Sequence, residues 1–287
     1  MSDATRERNG DNGENTMDLS NPQPPGVQPA LTSPGWSGDT SFLLYQIVLK
    51  DFRIRYRNMS LGIFWSVLNP LVMIVLLTFI FTQVFVSKTS NYPMVILTGL
   101  IPYNFFALAW STATTSLIDN ASLFKRIPIR PELIPIGVVL ANIMHLVVQL
   151  ALLIVIGLYY GVYPSWYWLW LPLLWGLELL CIMGLGLASA ALHVVVRDTR
   201  YVVESVNTVL FWLVPIFYTF AMVPDRFKEL YQFNPVSALV LASRLVILEH
   251  RHPPETLLWK LALVSVVSFA AGLSVFRRLQ SRFYSYL

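Results

Sequence analysis

Residues 134–160 read IPIGVVLANIMHLVVQLALLIVIGLYY and contain no charged side chain. A helix that crosses the hydrocarbon core of a bilayer needs about 20 consecutive apolar residues, and this stretch exceeds that. It sits inside a longer uncharged interval, from Glu132 to Glu178, with room for two crossings separated by the turn GVYPSW (161–166). Two more uncharged intervals lie upstream, Arg57 to Lys88 and Lys88 to Asp119. The predicted fold class is therefore an all-α integral membrane protein.

Composition agrees. The 287 residues are 55% hydrophobic and only 13% charged, whereas soluble domains carry about 25% charge. The formal net charge of +4 could suggest a nucleic-acid partner, but the basic residues flank apolar runs instead of forming one stripe. That pattern belongs to membrane orientation, so no nucleic-acid partner is expected. Cys181 is the single cysteine and lies in an apolar run, which excludes a disulfide framework and a thiolate metal site. The first apolar run begins near residue 42, so no cleavable signal is expected and the first span directs insertion.

Working outward gives three regions. Residues 1–40 are rich in Asn, Pro, Gly and Ser and cannot offset their ordering entropy, so a disordered cytoplasmic tail is expected, with Met17 an alternative start. Residues 41–58, SFLLYQIVLKDFRIRYRN, place Tyr45, Val48, Leu49, Phe52 and Tyr56 on one helical face and Gln46, Lys50, Arg53 and Arg57 on the other. A basic amphipathic helix of this kind lies in the membrane interface. Residues 59–287 form the transmembrane domain. Six spans are expected, near 61–86, 93–117, 134–160, 167–195, 205–223 and 257–276, with a kink at Asn69-Pro70 and Pro215 inside the fifth. Between the last two, residues 230–243 make an apolar run too short to cross. It contains Asn234-Pro235 and predicts a re-entrant helical hairpin.

Lysine and arginine placement orients the chain. One side holds Lys50, Arg53, Arg55, Arg57, Lys125, Arg126, Arg130, Arg197, Arg200, Arg277, Arg278 and Arg282, while the opposite short loops hold only Lys88. Both termini are expected in the cytoplasm. None of the five lysines follows a glycine, which excludes a G-x-x-x-x-G-K-[ST] phosphate loop. No HExxH or GxSxG sequence and no clustered metal-ligating set occurs, so neither enzyme chemistry, a cofactor nor a metal is expected. Glu178 and His145 lie deep in predicted spans, where an ionisable group calls for a named partner. Each is the candidate partner of the other, through a helix–helix hydrogen bond or a contact between copies; a proton relay is the sharper alternative.

The order of motifs resembles the membrane subunit of type-2 ABC export permeases, in their O-antigen and polysaccharide branch. The resemblance rests on KDFRIRYRNMSLGIFWSVLNP (50–70), YPMVILTGLIPYNFF (92–106), NASLFKRIPIRPELIP (120–135) and GLGLASAALHVVVRDTRYV (184–202), then VPIFYTFAMVP (214–224), FNPVSALVLASRLVIL (233–248) and FRRL (276–279). The chain departs from the family pattern at Arg130-Pro131-Glu132, at His193 and at Thr219.

The resemblance implies a homodimer in the bacterial inner membrane, served by two copies of a separate nucleotide-binding ATPase subunit. Its expected substrate is a polyprenyl-diphosphate-linked glycan. Lys50, Arg53, Arg55 and Arg57 would meet the diphosphate head or anionic membrane lipids. Lys125, Arg126, Arg130 and Glu132 in the first charged connector, and Arg197, Asp198 and Arg200 in the second, would couple to the ATPase. Trp65, Phe79, Phe81, Phe85, Phe211, Trp212, Phe217 and Tyr218 would offer the conduit aromatic surface on which sugar rings stack. Asn234 and Pro235 would form the outer gate. The alternatives are a drug or lipid exporter on the same fold, a proton-coupled transporter using Glu178 and His145, and a membrane glycosyltransferase.

Overall fold

The structure, a computed structural model, describes residues 40–57, 64–84, 91–122 and 130–283. Within them the chain is helical, with no strand. The helices are α1 (Thr40–Arg57), α2 (Phe64–Phe79), α3 (Tyr92–Asp119), α4 (Leu133–Ala141), α5 (Ile143–Tyr159), α6 (Leu171–Val195), α7 (Thr199–Leu213), α8 (Asp225–Phe233), α9 (Pro235–Ile247) and α10 (Glu255–Gln280). The expected disordered tail lies outside the described residues, as do Phe85, Lys125 and Arg126.

Four segments are long and apolar enough to cross a membrane: Tyr92–Asp119, Leu133–Tyr159, Trp166–Val195 and Glu255–Gln280. They match the second, third, fourth and sixth predicted spans. The first appears as the shorter apolar helix Leu68–Gln83. The fifth differs from expectation. Its helix begins at Thr199, inside what reads as a charged connector, and stops at Leu213; Val214 is extended, with ψ 138°. Pro215 explains the stop, because a proline disfavours helical backbone at the residue before it and brings no N–H of its own. By length alone, then, four spans are evident among the described residues, or five if the bent pair α8–α9 counts as one.

That pair meets at 99°. Asn234 makes the corner: its Oδ1 accepts from the backbone N–H of Val236 at 3.1 Å and of Ser237 at 3.4 Å. Pro235 occupies the first helical position, where its missing N–H costs nothing. The helix–turn–helix predicted from Asn234-Pro235 is present as a local shape.

α3 is the centre of the bundle. Its apolar window is 72% buried against 33% for Leu133–Tyr159, although its mean hydropathy is 1.5 against 2.5. Lipid is as apolar as leucine, so hydrophobicity does not drive helices together in a membrane; small and hydrogen-bonding residues do. α3 supplies both. Trp110 Nε1 donates to Ser189 Oγ at 3.2 Å, Thr114 and Ser189 hydroxyls lie 2.8 Å apart, and Asn142 Nδ2 donates to Thr112 Oγ1 at 3.0 Å.

α6 and α10 form the most extensive helix pair, and glycine permits it. A Cβ on Gly184 would collide with the Ser268 and Phe269 backbone, and one on Gly272 would collide with the backbone of Gly184. The two helices touch main chain to main chain.

A second core cluster gathers Ile47, Leu117, Ile134, Leu187, Val194, Phe276 and Phe283. It joins α1, the C-terminal ends of α3, α6 and α10, and the start of α4. The two charged connectors therefore emerge at one end of the bundle, beside α1. The bent pair and the loops at 160–170 and 248–254 gather at the other, where His250 Nδ1 lies 3.1 Å from Ser165 Oγ.

Candidate coupling end, conduit face and gate

At the connector end, α1 packs on α4. Ile47 is 5% exposed and fills the space beside Gly137, where a Cβ would come within 2.7 Å of Ile47 Cγ2. Tyr45, on the apolar face read from the sequence, is 60% exposed, as is Phe42 at 59%. One flank of α1 thus meets the bundle through Ile47 while Phe42 and Tyr45 are left for another apolar medium. On the polar side Lys50 Nζ donates to Asn120 Oδ1 at 2.6 Å. Of Arg53, Arg55 and Arg57, only the helical backbone is described.

In the first connector Arg130 is exposed and Glu132 half-buried. In the second, Arg197, Asp198 and Arg200 are exposed. Arg200 sits 3.9 Å from Glu204 and 4.8 Å above the Tyr201 ring, contacts within the first turns of α7. Both connectors offer free charge at the same end of the bundle.

The predicted conduit aromatics divide. Phe79 and Trp212 are exposed, at 60% and 66%. Phe217 is buried at 5% and stands at the centre of an aromatic cluster, 6.1 Å from Phe81, 5.2 Å from Phe211 and 5.5 Å from Trp212. Its side chain lies inside the bundle and not on its surface. Tyr218 is half-buried and donates to the Leu213 carbonyl at 2.6 Å, closing over the end of α7. The Trp65 side chain is not among those described.

Two tyrosines that sequence reasoning left out hold this region. Tyr92 donates to the Phe217 carbonyl and Tyr103 to the Asn207 carbonyl, each at 2.6 Å. Arg244 does more. It is 8% exposed, with Nη1 donating to the Tyr218 carbonyl at 2.9 Å and Nη2 to the carbonyls of Val95 at 3.1 Å and Ile216 at 2.6 Å. Ile216 and Tyr218 lie in the non-helical stretch after α7, where the guanidinium supplies their carbonyls with a donor; Val95, in α3, also accepts from Thr98 Oγ1 at 3.0 Å. Gly99 gives it room: a Cβ there would lie 3.1 Å from Ile216 Cα and 3.3 Å from Arg244 Nη2.

Glu178 is 3% exposed, and neither carboxyl oxygen has a hydrogen-bond partner among the described residues. His145 Nε2 lies 2.9 Å from Gln149 Nε2 on its own helix. The hydrogen bond expected between Glu178 and His145 is not formed. No group of three or more His, Cys, Asp or Glu able to hold a metal ion occurs among the described residues.

The profile of the ABC-2 type transporter membrane family matches residues 43–248, from α1 to the end of the bent pair. The chain belongs to the ABC-2 type transporter family.

Curated relatives of this permease include the O-antigen export system permease protein RfbA of Myxococcus xanthus, 28% identical over 243 residues that cover 84% of this chain and 94% of the relative. The protein of the same name from Klebsiella pneumoniae is 29% identical over 84% of this chain and 93% of its own length. The polysialic acid transport protein KpsM of Escherichia coli is 22% identical over 80% of this chain and 91% of its own length. Both connectors and the bent pair of this ABC-2 permease fall inside the family match, while α10 lies beyond its end at residue 248. Arg244 and the two tyrosines lie in stretches that carried the resemblance, 233–248 and 92–106. A lone arginine at the end of an apolar run, and tyrosines within one, were the signals that could have found them, since buried polar groups need partners.

Proposed function

We propose that this chain is the membrane subunit of an ATP-driven exporter that moves a polyprenyl-diphosphate-linked polysaccharide across the bacterial inner membrane. The observation that carries this reading is the set of relatives named for O-antigen and polysialic acid export, matched over more than nine-tenths of their own length. A long hydrated chain cannot dissolve in hydrocarbon and needs a walled path through about 30 Å of it.

Two copies of the permease enclose that path. α2 and α7 support this, because both carry exposed apolar residues: Val72, Val75 and Phe79 on α2, and Val202, Val209 and Trp212 on α7. Phe79 and Trp212, with Trp65, Phe85 and the edges of Phe81, Phe211 and Tyr218, offer the aromatic surface, and Phe217 backs it. Six crossings result when α2 and the extended continuation of α7 are counted, which leaves both termini in the cytoplasm. The bent pair re-enters the membrane from outside and gates the exit at Asn234-Pro235.

Energy enters at the opposite end. Two copies of a separate ATPase grip Lys125, Arg126, Arg130 and Glu132 in one connector and Arg197, Asp198 and Arg200 in the other. The α1 cations Lys50, Arg53, Arg55 and Arg57 bind the diphosphate head at the same end, through charge and forked donors.

Gene deletion tests the proposal. Lipid-linked glycan should accumulate inside the cell while surface glycan disappears, and the purified permease should gain ATPase activity only with a co-expressed nucleotide-binding partner. Unchanged surface glycan, or hydrolysis by the lone chain, refutes it.

A further inference from the structure

At the end of the bundle away from the connectors, the 99° bend between α8 and α9 leaves a cavity of about 450 Å³. This lies within the range of about 300–1,000 Å³ typical of small-molecule sites. Its floor is apolar, built from Leu241 and Leu245 of α9, Leu257 of α10 and the ring of Phe220. Polar side chains complete it: Thr219, Gln232, Arg244, Glu249 and Thr256. We propose that this cavity binds one or two sugar rings of a glycan at the exit side of the permease. The proposal rests on the glycan-export reading above and assigns that substrate a docking place outside the conduit.

The polar groups select among ligand classes. Lys260 Nζ donates to Gln232 Oε1 at 2.8 Å, so the Gln232 amide presents N–H donors to the cavity. Glu249 is exposed and in no ion pair among the described residues, so it presents an acceptor pair. Donors and acceptors side by side over an apolar floor suit vicinal hydroxyls on a ring with a C–H face. An anion fits worse. Nη2 of Arg244 donates to two carbonyls and Nη1 to a third, its unpartnered Nε is buried, and the Glu249 carboxylate repels negative charge. An acyl chain fits worse too, since it would strip water from these polar groups and return no hydrogen bond. Arg244 positions the wall and is not counted as a sugar ligand.

The test uses the full permease in nanodiscs and, as probe, a two- or three-residue oligosaccharide released from the surface glycan of the same bacterium. Binding is read by saturation-transfer NMR. Signal is expected for the unaltered chain, with affinity falling about fivefold in Gln232→Ala and in Glu249→Ala, the loss of roughly one hydrogen bond each. Both side chains stand at the cavity surface, so neither change removes core packing. Leu245→Trp fills the space without touching the polar groups and should abolish the signal, while Arg226→Ala, outside the cavity, should keep it. Absence of signal, equal signal in all four variants, or capture of a photoreactive phospholipid in the cavity in place of the sugar would overturn the proposal. Surface glycan is scored in parallel. Loss of export on gene deletion without sugar binding refutes the cavity alone, whereas unchanged surface glycan on deletion refutes the export reading and this one with it.

Discussion

Lys50 Nζ donates to Asn120 Oδ1 at 2.6 Å across 70 residues of sequence, tying α1 to the end of α3 where the first charged connector begins. A second tie lies beside it, where Ile47 fills the space over Gly137 at the start of the next span. α1 is thereby fastened to both ends of the connector. Movement of the connector must be shared with α1 or must break these contacts.

Lys50→Ala should therefore leave insertion and folding nearly intact, because an exposed polar contact contributes only about 0.2–1 kcal/mol. Its effect should appear in coupling: ATP turnover by the permease–ATPase complex becomes less dependent on substrate. Hydrolysis and export measured together check this. Equal loss of both would mark Lys50 as a folding residue instead.

The crossing of α6 and α10 makes the sharpest stability prediction. Gly184→Leu or Gly272→Leu forces a side chain into opposing backbone, and overpacking of this kind costs about 1–3 kcal/mol or more. Gly176 is the control on the same helix, since a Cβ there meets nothing within 4 Å. Thermal unfolding in detergent should separate the first two variants from Gly176→Leu clearly.

Much of this architecture was legible in the chain itself, and physics explains which parts. Charge-free intervals locate long helices because burying charge in hydrocarbon is costly, so four predicted spans coincide with helices. Asn234-Pro235 announced a corner because a capping side chain and a residue without N–H both favour a helix start. What stayed hidden is the inside of the bundle. In lipid the outward face is as apolar as the inward one, so hydrophobicity did not reveal that α3 is the core, or that Ile47 docks α1 on α4. The extended stretch after Leu213 was also missed. A proline in an apolar run reads equally as a kink within a helix or as its end; here Val214 turns extended before Pro215, and Arg244 holds the freed carbonyls of Ile216 and Tyr218.

Arg244 should accordingly resist conservative exchange. In Arg244→Met the carbonyls of Ile216 and Tyr218 lose their donor, at about 1–3 kcal/mol for each group left unpaired, while Val95 keeps the Thr98 hydroxyl at 3.0 Å. Arg244→Lys offers a single nitrogen where a planar fork bridged three acceptors, so it should rescue little. Limited proteolysis is the direct readout. Cleavage within 214–222 should rise in both variants, whereas a role confined to charge would be restored by lysine.

Glu178 tests whether proton coupling has any part in this permease. Its two oxygens lack hydrogen-bond partners among the described residues while the side chain is 3% exposed. His145 turns to Gln149 and supplies no partner for it. A buried polar group left unpaired costs about 1–3 kcal/mol, so replacing it with an apolar residue of similar length relieves a cost. Glu178→Leu should leave the unfolding midpoint unchanged or raise it. Glu178→Gln should export glycan as the unaltered chain does, in acidic and in alkaline medium alike. Surface glycan measured across that pH range decides the matter: loss of export that tracks pH in Glu178→Gln would show that the carboxyl moves a proton during transport, against the purely ATP-driven mechanism proposed above.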